Sequence, residues 1–451
     1  MYCTYSSEGR GSKPFSSPGG GRNGIDSSGN DSGNVVVAGP TRSAIALRGV
    51  GRIRRMVMRK TGPGPTELHL SRPLHHLPCS HSPYPVRHFR LNDHTGNRTG
   101  LPQMPTKFTA IVTSDRYGSS DTGLDPEREL ARQFPDIELD LRGEPIHTEE
   151  DMIALGRETD AFLISTREAV TRNLVENLPR VKVIARYGVG LDNVDLDAAA
   201  DNGIVITHFP QYCTSDVANH ALSLLLSINR RIVEQNEDLH QGAWNNHGRM
   251  TGKLMRGPVP SMSTLTIGVI GMGRIGSAVV SRLTPFGSRI VVSDPYIDDE
   301  RIRAAGAIPV SFDELISTAD LITIHCPLTP ETRGLFGPDQ FARMKPDASI
   351  VNTARGPIIQ QAAVIDHLTA NPGARAGLDV FEIEPLPEGN PLYQLPNAIL
   401  TPHSAYYSEQ SVEIVRKQTF LSALAVLRGY LPPTVANPAV LERVSLQPSP
   451  A

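Results

Sequence analysis

TLTIGVIGMGRIGSAVVSRL, residues 264–283, is the stretch on which the reading of the fold turns. An apolar run of strand length, 265–270, leads without a spacer into Gly271-Met-Gly273-Arg-Ile-Gly276, and a helical pattern follows at once. Each glycine has a physical task in such a turn. Gly271 permits the tight bend, Gly273 lets the backbone approach a pyrophosphate, and Gly276 lets helix and strand pack closely. The amides of Arg274 and Ile275 would then face phosphate at the start of the helix. The next strand pattern, SRIVVSDP, ends at Asp294, 18 residues beyond Gly276. A carboxylate there accepts from a ribose 2′-hydroxyl and repels a 2′-phosphate, so NAD is expected in preference to NADP. A lone GxGxxG would be weak; strand, turn, helix and acid together are not.

Working outward from this turn, a strand-and-helix alternation continues downstream to about residue 401. Upstream, apolar runs of strand length stand at 107–114, 136–141, 161–166, 181–188 and 203–209. Between them lie helical stretches at 126–134, 149–157, 171–178 and 195–202. Alternation of this kind specifies an α/β fold of doubly wound parallel sheets with helices on both faces. One long helix is expected from about Ser215 to Leu239, capped by Ser215 or Asp216. Its segment 221–228 is apolar nearly all round, which requires burial between domains or between subunits. A further helix is expected at 409–427.

With 39% hydrophobic and 20% charged residues, the 451-residue chain has the composition of a soluble globular protein with more than one core. No apolar run approaches the ~20 residues of a membrane span. The net charge of -3 hides an asymmetry: residues 1–104 hold 14 Lys+Arg against 5 Asp+Glu, and the rest 30 against 42. The acidic body argues against a nucleic-acid partner. Of the first 34 residues 18 are Gly, Ser or Pro, and 1–104 is expected to be a disordered basic tail. A targeting segment, a basic tail touching nucleic acid or membrane, and a metal site at His75, His76, Cys79 and His81 are weaker readings of it. Met104 stands immediately before the first strand pattern, so a start of translation there would give the whole ordered body. The cysteines, Cys3, Cys79, Cys213 and Cys326, form no CxxC pair, which suits a reducing, cytoplasmic setting and no cysteine metal site.

Further segments read together with the glycine turn: ARYGVGLDNVDLDAAADNGI (185–204), DLITIHCPLTPETRGLF (320–336), ASIVNTARGPIIQ (348–360), GLDVFEIEPLP (377–387) and AILTPHSAYYSEQS (398–411). In this order and spacing the chain resembles the D-isomer-specific 2-hydroxyacid dehydrogenases over roughly 107–435. That family includes phosphoglycerate dehydrogenases, glyoxylate/hydroxypyruvate reductases and the C-terminal-binding proteins. The last branch is the nearest in the YGVGLDNVD segment and in 405–410. Two positions depart from expectation: Tyr406 stands where that branch has tryptophan, and Pro357 where the family commonly has a second glycine. The resemblance implies a flavodoxin-like substrate domain (105–207 and 404–435), a Rossmann NAD-binding domain inserted at 208–403, and a tail at 436–451.

The resemblance also implies roles. Arg355 matches the arginine that holds the substrate carboxylate and polarises its keto group. His403 matches the general acid/base, a task suited to imidazole because its ordinary pKa, about 6.5, lies near working pH. Residue chemistry alone would not choose it over His208, His220 or His325. Glu384, before Pro385, matches the carboxylate that orients this histidine and favours its protonated form, with Glu382 as competitor. Arg186, the amides of Gly188, Val189 and Gly190, and Tyr406 are expected around the substrate. Thr353, Ala354, Cys326, Pro327 and Thr332 should lie along NAD, His325 near its adenine side, and Asp379 at the nicotinamide carboxamide. Trp244 and Cys213 are read as packing residues. The implied activity is hydride transfer between NAD and a small 2-keto or 2-hydroxy acid, in a homodimer without metal. The alternative is an NAD-responsive scaffold, which would need none of Arg355, Glu384 and His403.

Overall fold

The computed structural model describes residues 105–449, apart from 115–116, 118–122, 145, 147 and 245–257. The basic segment 1–104, with its His/Cys cluster, lies outside the described residues. Five short strands open the fold: β1 (Thr106–Val112), β2 (Ile137–Gly143), β3 (Ala161–Ile164), β4 (Val183–Arg186) and β5 (Val205–His208). They pair in parallel in the order β2-β1-β3-β4-β5. The helices between them are α1 (Asp125–Ala131), α2 (Glu149–Gly156), α3 (Arg172–Glu176) and α4 (Leu196–Asp201). Side-chain caps start three of them: Thr148 accepts from the Asp151 amide, Thr171 from Leu174, and Asp195 from Ala198.

The chain then leaves this sheet through α5 (Thr214–Arg230) and α6 (Ile232–His240). A second parallel sheet is built from β6 (Thr266–Ile270), β7 (Arg289–Ser293), β8 (Ile308–Pro309), β9 (Leu321–Ile324), β10 (Ser349–Asn352), β11 (Ala376–Leu378) and β12 (Ala398–Leu400). Its order is β12-β11-β10-β9-β6-β7-β8, so the strand order reverses at β6. Helix α7 (Arg274–Leu283) follows β6, the strand at that reversal, where open α/β sheets bind ligands. After β12 the chain returns to the first sheet with α8 (Glu409–Leu427), which packs on β3, β4 and β5. The doubly wound α/β fold expected from the sequence is thus present.

Strand alternation explains the layers. Phe108, Ala110, Val112, Leu163, Val183 and Ala185 face α8 through Val415, Phe420 and Leu424. Ile111, Phe162, Ile164 and Ile184 point the other way and pack with Leu174 and Ala198. Because both faces are covered there, β3 and β4 are buried throughout, whereas β2 at the sheet edge alternates apolar and charged residues.

Three expectations are corrected. The long helix is two, broken at Arg231, which adopts φ 54° and ψ 41°. The break is held by buried charge: Arg231 Nη2 donates to the Pro258 carbonyl at 3.1 Å, and Glu234 bridges Arg231 and Arg375 at 3.7 and 2.7 Å. Fixing a non-glycine residue there costs of order 1–3 kcal/mol, so tertiary contacts must over-determine it. The helix also starts at Thr214, with Cys213 and not Ser215 or Asp216 in the cap position. Second, 436–449 is no loose tail: Val440 is fully buried, and the Asn437 side chain accepts from Ile206 N and donates to Ile204 O. Third, Trp244, read as a packing residue, is half exposed. Among the described residues no helix is long and apolar enough to cross a membrane.

Candidate functional site

The carboxyl ends of both sheets border one cleft of about 1170 Å³. The residues around it come from loops that begin where strands stop, so each is aimed by the rigid sheet behind it.

On the β6 side the turn has φ 84° at Gly271, and a Cβ there would lie 2.7 Å from the Cys326 amide nitrogen. A Cβ on Gly276 would lie 2.0 Å from the Gly271 carbonyl oxygen, whereas one on Gly273 would meet nothing within 4 Å. The turn is therefore closed against the protein at Gly271 and Gly276, and open at Gly273, with Arg274 and Ile275 lining the cleft. Asp294 accepts from the Met272 amide at 2.7 Å and from the Tyr296 amide at 2.9 Å, which fixes its carboxylate beside the turn. This cradle, the uncapped start of α7 and the adjacent carboxylate fit the diphosphate and ribose of NAD.

Cys326, Pro327, Thr353, Ala354 and His325 also line the cleft. Burial pushes the Cys326 thiol up to about 11 and the His325 imidazole down to about 3, so both stay neutral at working pH. Thr332 does not line it. Its hydroxyl donates to Pro327 O at 2.7 Å and accepts from Thr329 N at 2.8 Å, which closes the turn after β9. Asp379 borders the cleft but is fully buried, and its carboxylate is used within the protein. Its oxygens accept from Thr401 Oγ1 at 2.6 Å, Ser404 N at 2.9 Å and Ala405 N at 2.9 Å. Asp379, the residue expected at the nicotinamide carboxamide, is also the anchor of the loop that carries His403.

That loop is strained. His403 has φ 48°, and its amide donates to the Asp379 carbonyl at 2.7 Å. Its Nδ1 lies 2.6 Å from Glu384 Oε2, and the other Glu384 oxygen accepts from Phe381 N at 2.9 Å. Glu382 points elsewhere, accepting from the Gln361 amide at 3.1 Å. Partial burial pushes the Glu384 carboxyl up, but the hydrogen bond and charge of His403, the Phe381 amide and Arg355 outweigh it. The net direction is downward, and Glu384 is a carboxylate.

Arg355 reaches across from the second sheet to the first. Its Nε donates to Asp192 Oδ1 at 2.8 Å and its Nη1 to Ala354 O at 2.7 Å. Gly190 makes the approach possible, since a Cβ there would lie 1.5 Å from Arg355 Nη2. Burial raises the Asp192 carboxyl, but Arg355 more than offsets this, so Asp192 titrates below its ordinary range. Gly188, Val189 and Gly190 line the cleft, and the Val189 carbonyl is tied to His208 Nδ1 at 3.0 Å.

Arg186, expected to touch substrate, sits behind this loop. It is 2% exposed, does not line the cleft, and its Nε and Nη1 have no hydrogen-bond partner among the described residues. Burial, helped by the charge of Arg355, lowers it to about 10, so it stays a cation facing Asp192 and Glu168. Tyr406 lines the cleft, its ring edge-on to His403 with centroids 6.4 Å apart, and Tyr212 lies edge-on to Tyr406 at 6.3 Å.

Sequence reading missed Asp192, Asn352 and Tyr212. Asn352 donates to Arg355 O at 2.8 Å and accepts from Ala354 N at 3.0 Å, shaping the arginine turn. Asp192 and Asn352 both lie inside quoted motifs, GLDNVD and NTARG, where a polar residue in the loop after β4 and one at the end of β10 were the available signals. Cys213, 2% exposed, has its thiol pushed by burial up to about 12, in keeping with a packing role.

Comparison with known proteins agrees with this geometry. The profile of the D-isomer specific 2-hydroxyacid dehydrogenase, NAD binding domain, matches residues 222–405. Glyoxylate reductase of Korarchaeum cryptofilum is 33% identical over 321 residues, 70% of this chain and 95% of that protein. D-3-phosphoglycerate dehydrogenase of Methanocaldococcus jannaschii is 38% identical over 291 residues, 64% of this chain and 54% of that protein. The chain thus spans about half the length of the phosphoglycerate dehydrogenases it matches. The TT0316 protein of Thermus thermophilus superposes with a TM-score of 0.60 at 32% identity, covering 73% of this chain and 99% of its own. Apo D-lactate dehydrogenase of Escherichia coli gives 0.58 at 28%, covering 73% and 99%. With the glycine cradle, the aspartate beside it and a histidine–glutamate pair facing an arginine in one cleft, the chain belongs to the D-isomer specific 2-hydroxyacid dehydrogenase family and is an NAD-dependent oxidoreductase.

Proposed function

We propose that the chain interconverts a small 2-keto acid and its D-2-hydroxy acid, as a glyoxylate- or hydroxypyruvate-type reductase or a phosphoglycerate dehydrogenase-type enzyme. The observation that carries this reading is the His403–Glu384 pair, bonded at 2.6 Å, at the edge of the cleft that Arg355 also lines. Bound NAD supplies the hydride acceptor or donor. Gly271, Gly273, Arg274, Ile275, Gly276 and Asp294 hold its phosphates and ribose, with Cys326, Pro327, Thr353 and Ala354 alongside.

In reduction, Arg355 binds the substrate carboxylate with charge-assisted hydrogen bonds and draws electron density from the keto oxygen. The amides of Gly188, Val189 and Gly190 complete the carboxylate pocket. His403, protonated, gives its proton to the keto oxygen as the carbonyl carbon is reduced, and Glu384 stabilises the imidazolium beforehand. In oxidation the same nitrogen takes the hydroxyl proton. Asp192 keeps Arg355 aimed while leaving its charge intact. The Tyr406–Tyr212 wall beside His403 sets the space for the side chain and favours small acids.

Nicotinamide absorbance with keto acids of graded size and charge tests this, together with His403→Ala. Turnover should fall by on the order of a thousandfold in the variant while NAD binding persists. Tight NAD binding without turnover of any keto acid by the unaltered protein would favour the scaffold reading instead.

The enzyme is proposed to be a cytoplasmic homodimer. Free thiols at Cys213 and Cys326 suit a reducing compartment, and Ile232, Val233, Leu239 and Trp244 leave apolar surface on and just after α6. Sedimentation as a monomer at micromolar concentration would remove the dimer.

A further inference from the structure

The loop that carries His403 is held by more than the residues of the site. Asp379, fully buried, collects Thr401 Oγ1, Ser404 N and Ala405 N on its carboxylate and His403 N on its carbonyl. Four contacts from 401–405 thus converge on one residue, and between them stands the positive φ of His403. A buried carboxylate in that position needs support of its own. It comes from a different element: His220, on α5, places Nε2 3.0 Å from Thr401 Oγ1 and 3.6 Å from Asp379 Oδ1.

The direction of this chain of bonds follows from valence. The single hydroxyl proton of Thr401 goes to the Asp379 carboxylate, 2.6 Å away, which can only accept. Thr401 Oγ1 must therefore accept from its other neighbour, so His220 Nε2 carries a proton. The run is His220 N–H to Thr401 O–H to Asp379, and the two backbone amides that follow His403 close on the same carboxylate. His220 does not border the cleft and touches no reacting group.

We infer that His220 is a positioning residue for the acid–base histidine, acting through Thr401 and Asp379 to hold the 401–405 loop in its strained form. This rests on the assignment of His403 as the proton carrier. Removing the first donor frees Thr401 to rotate its hydroxyl, weakens the hold on Asp379, and lets the loop relax away from the geometry in which His403 meets the keto oxygen. The His403–Glu384 pair itself is untouched.

The test uses the full chain with NADH and the best keto acid, in His220→Leu, His220→Gln and Thr401→Val. His220→Leu should lower kcat by on the order of tenfold, with keto-acid KM and NAD affinity within about twofold. The pH limbs should not move, because the titrating pair is intact; a lost limb would make His220 itself a proton carrier and overturn the inference. His220→Gln, which keeps a donor, should recover most of kcat, and Thr401→Val should match His220→Leu, with the double variant no worse than either. Additive losses, or kcat within twofold of the parent in His220→Leu, refute it. Amide exchange of residues 401–407 provides a readout independent of turnover. It should accelerate in His220→Leu and Thr401→Val, and unchanged protection refutes the inference even if no keto acid is turned over. Absence of turnover in the parent is instead the failure of the functional reading.

Discussion

Glu384→Gln isolates the charge of the histidine's partner while preserving its size. In the structure Glu384 Oε2 lies 2.6 Å from His403 Nδ1. Unit charges at that distance attract by roughly 1.6 kcal/mol even at the dielectric constant of water. Both side chains are 34% exposed, so solvent screening must be taken off, and about 1 kcal/mol remains as a reasonable figure. The direction of the effect follows from the proposed roles. Reduction needs His403 protonated and declines as pH rises; oxidation needs it neutral and declines as pH falls. Glu384 is anionic over this whole range, since its carboxyl lies below the ordinary value, and its charge favours imidazolium. The glutamine variant should therefore move the alkaline limb of reduction and the acidic limb of oxidation to lower pH together. Steady-state nicotinamide absorbance from pH 5 to 10, in both directions, measures it. Limbs that stay where they were, or that move in opposite directions, would show that Glu384 does not set the protonation of His403.

Two further outcomes follow from the cofactor side. Asp294→Ser should narrow the ratio of kcat/KM for NADH over NADPH by on the order of tenfold, by removing repulsion of the 2′-phosphate; equal use of both cofactors by the parent would defeat this assignment. His325, buried and pushed down to about 3, binds its proton only on unfolding as pH falls below about 6.5, so stability should be full above that value. Between there and about 3 it should be lost by up to roughly 1.4 kcal/mol per unit, and His325→Gln should flatten that slope in urea midpoints measured from pH 7 to 5; an already flat parent refutes it.

The parts of this molecule that could be read from sequence are those whose physics is local. A strand, a glycine turn, a helix and an acid 18 residues on carry their meaning within one βαβ unit, and Gly271 and Gly276 are glycines because backbone lies within 2.9 Å of where a Cβ would stand. The inner strands β3 and β4 of the first sheet were legible for the same reason, since strands covered on both faces are mostly apolar. The break at Arg231 was not. Its neighbours continue a helical pattern, and nothing at an arginine announces a left-handed backbone. Glu234, Arg375 and the Pro258 carbonyl make it stable, and Arg375 is 144 residues away in the chain. Arg186 shows the opposite case: a charged residue at a strand end suggests a ligand, yet it is 2% exposed and does not line the cleft, which Arg355 does.

The histidines make the same point about the site. His208, His220, His325 and His403 all stand on or beside the elements that border the cleft, and their side chains are chemically identical. What distinguishes them is what each ring nitrogen meets. His208 is spent on the Val189 carbonyl, His325 bonds Thr323 and is held neutral by burial, and His220 gives its proton inward to Thr401. His403 alone among the four has a carboxylate on one ring nitrogen and lines the cleft. That arrangement requires φ 48° at a non-glycine residue, which no local preference supplies. It exists because Asp379 gathers the loop around it, so on the proposed roles the acid–base group is selected by a buried aspartate that need never touch the substrate.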